Sequence, residues 1–218
     1  DADDPQGSSM GNETGASVDV TALLSAGSVA ESGETTFGID VARYQGTIDW
    51  SQVAASGVQF AMIRVGYRTQ KTGEIVADSN AKYNMQEAQA NGIKVGAYFF
   101  STAVTAEEAV QEAEWVADYI SQYQITYPVA FNCEGFENAD SRQYAMTQSE
   151  RTDMAIAFLN EIYNRGYTPM FYAAKNEMLG DAKWDTSRIE KTYKIWVSQY
   201  PSVPYPQTAQ SDYTGTHA

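Results

Sequence analysis

From Phe37 onward, short apolar runs alternate with longer segments of helical period. That order is the signature of β-α units arranged around a parallel sheet. Apolar runs at 37 to 41, Phe60 to Gly66, Lys94 to Phe100, Pro128 to Cys133, Pro169 to Ala173 and Tyr193 to Gln199 read as six strands. Helical segments fall between them. Asp49 reads as the N-cap of a short helix through Ser56, stopped by Gly57, and residues 80 to 91 form a second helix closed by Asn91-Gly92. Thr105-Ala-Glu-Glu108 fits a capping box opening a helix to about Tyr123, and residues 149 to 165 form another, ended by Arg165-Gly166. Beyond the fifth strand the helical signal shrinks to fragments at 175 to 179 and 185 to 190. Five β-α repeats followed by strands with little helix predict an α/β fold, an irregular TIM-like barrel that needs further strands to close. The chain ends at Ala218 in Pro, Gly, Ser and Thr-rich sequence, so either the barrel is open or its C-terminal strands are missing.

Charge divides this chain in two. The net charge is -14, and residues 1 to 36 hold seven carboxylates with no Lys or Arg and no aromatic residue. Such a segment lacks the means to form a core and reads as an acidic, Gly/Ser/Thr-rich flexible tether, with only residues 18 to 24 apolar enough to dock locally. Residues 37 to 218 then form one barrel domain. The acidic balance argues against a nucleic-acid partner, which needs a basic face. No run reaches the roughly 18 to 20 apolar residues of a membrane span, so no membrane contact is expected within this chain. A monomer is expected.

Candidate chemistry is narrowed by arithmetic. With one Cys and one His, the latter next to the last residue, zinc clusters, Cys/His dyads and Ser-His-Asp triads are nearly excluded. Acid-base work falls to carboxylates, with no metal and no cofactor expected. Cys133 reads as a small buried residue.

The fourth strand ends Phe131-Asn132-Cys133-Glu134. Side chains alternate along a strand, so Asn132 and Glu134 share a face, with Cβ atoms about 6.5 to 7 Å apart. In a barrel that face is the interior, and its C-terminal rim is where active sites are built. Asp40 occupies the equivalent position on the first strand, Tyr98 and Phe100 on the third, Tyr172 on the fifth, and Trp196 and Tyr200 on or after the sixth. Carboxyls and an amide ringed by aromatic side chains suit a sugar-cleaving groove, since rings stack on sugar faces and carboxyls move protons. Bland readings stand beside this one: Asp40 as a turn or cap residue before Gly46, Glu134 as a solvated strand end, Tyr98 and Tyr172 as barrel filling. Arg64 is expected to point inward, where a buried charge demands a structural ion pair. Asp78 and Asp140 sit in turn-like sequence and are assigned no role.

With these residues in hand, the chain resembles the glycoside hydrolase family 25 lysozymes, N-acetylmuramidases typified by the Chalaropsis enzyme. The resemblance covers residues 37 to about 200, and its most specific part is Gly-Ile-Asp-Val-Ala-Arg-Tyr-Gln-Gly-Thr-Ile-Asp-Trp, 38 to 50. Phe60 to Tyr67, Val95 to Ser101, Pro128 to Glu134, Phe171-Tyr172 and Ile195 to Tyr200 follow in family order. It implies a modified barrel of five β-α units followed by three strands, acting on peptidoglycan glycan strands outside the cell or at the wall. The implied reaction is hydrolysis of the β-1,4 link between N-acetylmuramic acid and N-acetylglucosamine. Glu134 matches the general acid, a role that calls for partial burial and a neighbouring negative charge, which Asp40 supplies. Tyr98, Phe100, Tyr172, Trp196, Tyr200 and Gln45 then line the glycan site.

Three departures stand out. Asn132 replaces the usual Asp of an Asp-x-Glu motif, Ala42 replaces a common Ser, and the last family strands have no counterpart. In a substrate-assisted mechanism the sugar's own acetamido oxygen attacks, so Asn132 needs only to accept the acetamido N–H, and activity falls rather than vanishes. The alternatives are a member that binds wall glycan without cutting it and a chitinase-like endo-hexosaminidase on the same barrel.

Overall fold

A computed structural model describes residues 3–6, 36–200, 213 and 217. Six strands lie parallel: β1 (Gly38–Val41), β2 (Phe60–Arg68), β4 (Lys94–Phe100), β5 (Val129–Asn132), β6 (Pro169–Ala174) and β7 (Lys194–Ser198). They are ordered β1-β2-β4-β5-β6-β7. Helices α1 (Trp50–Ala55), α2 (Ala81–Ala90), α3 (Ala106–Ile120) and α4 (Gln148–Asn164) follow the first, second, third and fourth of these strands. After β6 come only single turns, α5 (Lys175–Met178) and α6 (Thr186–Ile189). This is the expected fading of helix at the end of the repeat, on a curled half-barrel sheet.

Three of the four longer helices, α1, α3 and α4, start at a side-chain cap. Asp49 accepts from the backbone N–H of Ser51 at 3.1 Å and of Gln52 at 3.2 Å, as its sequence position predicts. Thr105 accepts from Glu108 N–H at 3.1 Å, but Glu108 reaches back to Val104 N–H, one residue before the expected partner. The fourth helix opens at Gln148 rather than Ser149, because Thr147 and Glu150 form a reciprocal capping box there.

One element goes beyond the sequence reading. β2 runs two residues past Gly66, and β3 (Ile75–Ala77) returns antiparallel against its end, with Gly66, Tyr67 and Arg68 opposite Ala77, Val76 and Ile75. Three residues carry too short an alternation to be recognised as a strand. The turn depends on Gly73, whose φ of 71° is open to glycine at little cost.

Two apolar layers divide the sheet. On the outer face Ile63, Val95, Phe99, Phe131, Phe171 and Ile195 pack under the helices with Val116, Ile120, Phe158 and Trp184. Each such large side chain contributes about 1.5 to 3 kcal/mol by leaving water. Tyr213 joins this core near the end of the chain. The inner face carries only a small cluster of Met62, Tyr98, Ala130 and Met170. Gly96 makes room for it, since a Cβ there would stand 2.5 Å from the Met62 sulfur. The barrel interior is therefore filled at its floor and polar toward its rim.

Candidate active site

A bulge in β2 sets the polar rim. The register with β4 runs evenly to Arg64 opposite Tyr98, then shifts so that Gly66 meets Phe99 and Tyr67 meets Phe100. Side-chain parity changes across such a bulge. Arg64 and Tyr67 consequently both face the interior, the guanidinium lying over the Tyr67 ring at 4.9 Å, while Arg68 turns out toward α3 and bonds Glu112 at 2.8 Å.

One rung above the floor, Phe100, Asn132, Tyr172 and Trp196 stand side by side on four successive strands. Tyr172 and Trp196 meet edge-on, with centroids 4.5 Å apart. Asn132 is fully buried and donates through Nδ2 to Glu134 Oε1 at 3.2 Å. Its Oδ1 is buried and accepts no hydrogen bond among the described residues. Glu134 follows the strand end and is 9% exposed. Gly135, at φ 74°, turns the chain directly after it and returns Phe136 to the core against Trp184.

Asp40 faces this pair from β1, half-buried. Burial, first, and the Glu134 charge push its carboxyl up to about 6, against the pull of its own backbone donor. A third carboxylate stands nearby on α5, where Glu177 accepts from the Trp184 indole N–H at 3.3 Å. Burial raises the Glu177 pKa and the Glu134 charge adds to the rise. Sequence reading missed this group, since it lies on a helical fragment with no rim position to read. Burial also lifts the Tyr98 hydroxyl well above its ordinary range, aided by Asp40, so it stays protonated as a donor.

A small recess opens beside Asp40, with Gln45, Arg64, Tyr98 and Phe100 in its walls. Its lining does not extend to Asn132, Glu134, Tyr172, Trp196 or Tyr200. Of the predicted aromatic residues, Tyr98, Phe100 and Tyr172 are at most 4% exposed, Trp196 is half-buried, and Tyr200 stands out at 61% exposed beyond β7. The Gln45 side-chain Oε1 accepts from Ala42 N–H at 2.7 Å. Cys133 is buried with its Sγ 3.2 Å from Gln143 Oε1.

Arg64 carries the structural ion pair its position predicts, donating to Asp78 Oδ2 at 2.8 Å. Asp78, which the sequence reading left without a role, is buried and also accepts from the backbone of Arg43 and Asn80. The second partner comes from the predicted tether: Asp4 Oδ2 accepts from Arg64 Nη2 at 3.0 Å. Residues 3 to 6 thus sit against the barrel mouth, and Pro5 and Gln6 join the recess wall. The apolar run at 18 to 24 lies outside the described residues.

Among known proteins, the family description Glycosyl hydrolases family 25 matches residues 39–217. No curated protein matches the chain. Among solved structures, the modular autolysin LytC from Streptococcus pneumoniae superposes with a TM-score of 0.64 at 19% identity, over 83% of this chain and 43% of that one. The same autolysin in complex with a synthetic peptidoglycan ligand superposes at 0.60 and 18% identity, with the same coverage. A bacterial lysozyme from Streptomyces coelicolor gives 0.58 at 21% identity, over 78% of this chain and 79% of that one. A muramidase from Trichobolus zukalii gives 0.58 at 17% identity, over 83% and 91%. The chain spans less than half the length of LytC. These superpositions establish the shared barrel, and the match over residues 39–217 places the chain in glycosyl hydrolases family 25.

Proposed function

We propose that this chain is a peptidoglycan muramidase that hydrolyses the β-1,4 bond between N-acetylmuramic acid and N-acetylglucosamine. The observation that carries the reading is the Asn132 amide. It is fully buried, its nitrogen donates to Glu134, and among the described residues its oxygen accepts no hydrogen bond. A buried acceptor without a donor is costly, so a ligand N–H that fills it binds with a gain.

Glu134 is the general acid in this mechanism. It gives its proton to the leaving sugar oxygen while the substrate's own 2-acetamido oxygen closes on the anomeric carbon. Asn132 Oδ1 accepts the acetamido N–H, orienting the attacking oxygen. Glu134, now ionised, takes a proton from the water that opens the cyclic intermediate, and the anomeric hydroxyl is restored with its original configuration. Asp40 adds negative charge beside the positive charge that develops on the sugar. An Asp in place of Asn132 would stabilise that charge further, so the reaction here is slower than an Asp-assisted one. The exposed Tyr200 ring and half-buried Trp196 offer stacking surface for glycan. The site of action is the cell wall, on glycan outside the cell.

Digestion of peptidoglycan with mass analysis of the products tests this, run on the chain, on Asn132→Asp and on Glu134→Gln. The expected result is muramic acid at the reducing end from the first two, faster for Asn132→Asp, and none from Glu134→Gln. Glycan with de-N-acetylated sugars should resist cleavage, and chitin oligomers should be poor substrates. The amide at 132 favours one other reading, a glycan-binding member that does not cut. Cleavage by Asn132→Asp alone, with binding retained by the unaltered chain, would establish that one.

A further inference from the structure

The interior cation cluster at the barrel mouth is held by a carboxylate that comes from far outside the barrel. Asp4 lies 60 positions before Arg64, yet its side chain is fully buried against it. Arg64 Nη2 donates to Asp4 Oδ2 at 3.0 Å, and Nη1 stands 2.8 Å from Oδ1. Arg43 Nε also donates to Asp4 Oδ2. Tyr44 O–H donates to the Asp4 backbone carbonyl at 2.7 Å, and Arg64 Nη1 donates to that of Pro5 at 2.8 Å. Burial works against the Asp4 charge, but the two guanidiniums hold its carboxyl below the usual range.

The ion pairs show why an anion belongs there. Among the described residues Asp78 is the one barrel carboxylate within ion-pair distance of Arg64, and Arg43 pairs only with Asp4. Withdrawing Asp4 therefore takes away the ion pair of Arg43 and that of the Arg64 terminal nitrogens. A planar fork of donors fits a carboxylate in two-point contact. Asp40, Tyr98 and Phe100 line the same recess as Pro5 and Gln6, so the occupied cradle adjoins the candidate catalytic groove.

We propose that Arg64, Arg43 and Tyr44 form a carboxylate-binding subsite, and that Asp4 fills it as a tethered stand-in for a carboxylate carried by the glycan. The nature of that glycan rests on the muramidase reading; the subsite itself does not. Peptidoglycan offers such a group on the lactyl ether of muramic acid and on its peptide substituents. The segment is then a competitor in place, which a carboxylated ligand must displace before it reaches Asp40.

The test is a calorimetric titration of the full chain and of its Asp4→Ala variant. Ligands are N-acetylmuramic acid, muramyl dipeptide, N-acetylglucosamine and the free hexapeptide of residues 1 to 6. Asp4→Ala should bind at least one of the two carboxylated sugars about tenfold tighter than the full chain does, with N-acetylglucosamine unchanged. The hexapeptide should bind Asp4→Ala, and its Asp4→Asn form should bind at least tenfold more weakly. Arg43→Ala, at a partly exposed position, added to Asp4→Ala should reverse the gain. Preference for N-acetylmuramic acid assigns the lactyl carboxylate, and preference for the dipeptide assigns the peptide. Equal affinities in the full chain and Asp4→Ala, or equal binding of both hexapeptides, overturn the proposal. The titration reads binding alone, so equal affinities refute the subsite and leave the muramidase reading standing, whereas absence of cleavage in the peptidoglycan digestion refutes that reading and leaves the subsite standing.

Discussion

Arg64 and Arg68 are four residues apart on β2, and both are buried, at 2% and 4% exposure. The bulge between them turns one into the barrel and the other out under α3. Arg68 finds all its side-chain partners on that helix: Glu112 at 2.8 Å, Gln111 at 2.9 Å and Glu108 at 3.6 Å. Arg64 finds one fixed partner in Asp78 and a second in Asp4, carried by a segment remote in sequence. A desolvated guanidinium needs an anion on either face. The outer pair opens only if α3 leaves the sheet, whereas the inner one opens when the segment carrying Asp4 lifts away. Burial alone does not separate a structural charge from an exchangeable one; the anchorage of its partner does.

The largest effect should fall on the inner face and leave the outer one untouched. Glu134→Gln removes the proposed acid, and hydrolysis should drop by about 10² to 10⁴ with no fall in the urea midpoint. A comparable loss of stability would mean the rim is part of the packing after all. On the outer face, Arg68→Met leaves Glu112 buried without its cation and should cost about 3 to 5 kcal/mol by urea unfolding. Burial already pushes the Glu112 carboxyl up to about 7. Adding Glu112→Leu should recover most of that loss, and failure to do so would show that the pair is more than a matched charge.

Asp40→Asn should reveal a pH dependence with a defined sign. The Asp40 carboxyl is raised to about 6 in the folded state, so its ionisation there is harder than in the unfolded chain. Stability therefore declines as pH rises from about 4 through 6. The variant should gain about 1 to 2 kcal/mol over the parent at pH 7 and nothing at pH 4, the partial exposure of Asp40 keeping the figure below the full shift. Equal gains at both pH values would locate the effect elsewhere. Asp4→Ala should cost only about 1 kcal/mol, a drop of roughly 2 to 4 °C in melting temperature. A loss as large as that of Arg68→Met would erase the distinction between the two arginines.

The order of elements was readable because it depends on local rules. Asp49, Thr105 and the glycine stops mark helix ends through their own backbone contacts, and strand runs announce themselves by continuous burial. Alternation likewise places Asn132 and Glu134 on one face, where the amide and carboxyl meet at 3.2 Å. Parity counting from Arg64 fails beyond it, since a bulge is a property of pairing and leaves no mark in Val65-Gly66 alone. The β3 hairpin is missed for its length. Glu177 goes unread because its approach to Glu134 depends on how a single helical turn packs after β6.

What the sequence determined by itself is the β-α order and the shared face of the amide and carboxyl at the end of β5. Those follow from period, composition and residue chemistry, each confined to a few neighbours in the chain. The tertiary structure alone decided which anion answers Arg64, that Asp78 rather than a rim carboxylate is its fixed partner, and that Asp4 closes the cradle. A buried charge requires a partner but does not name it. The choice is made where the folded chain brings distant residues within 3 Å, and no local pattern encodes a contact across 60 positions.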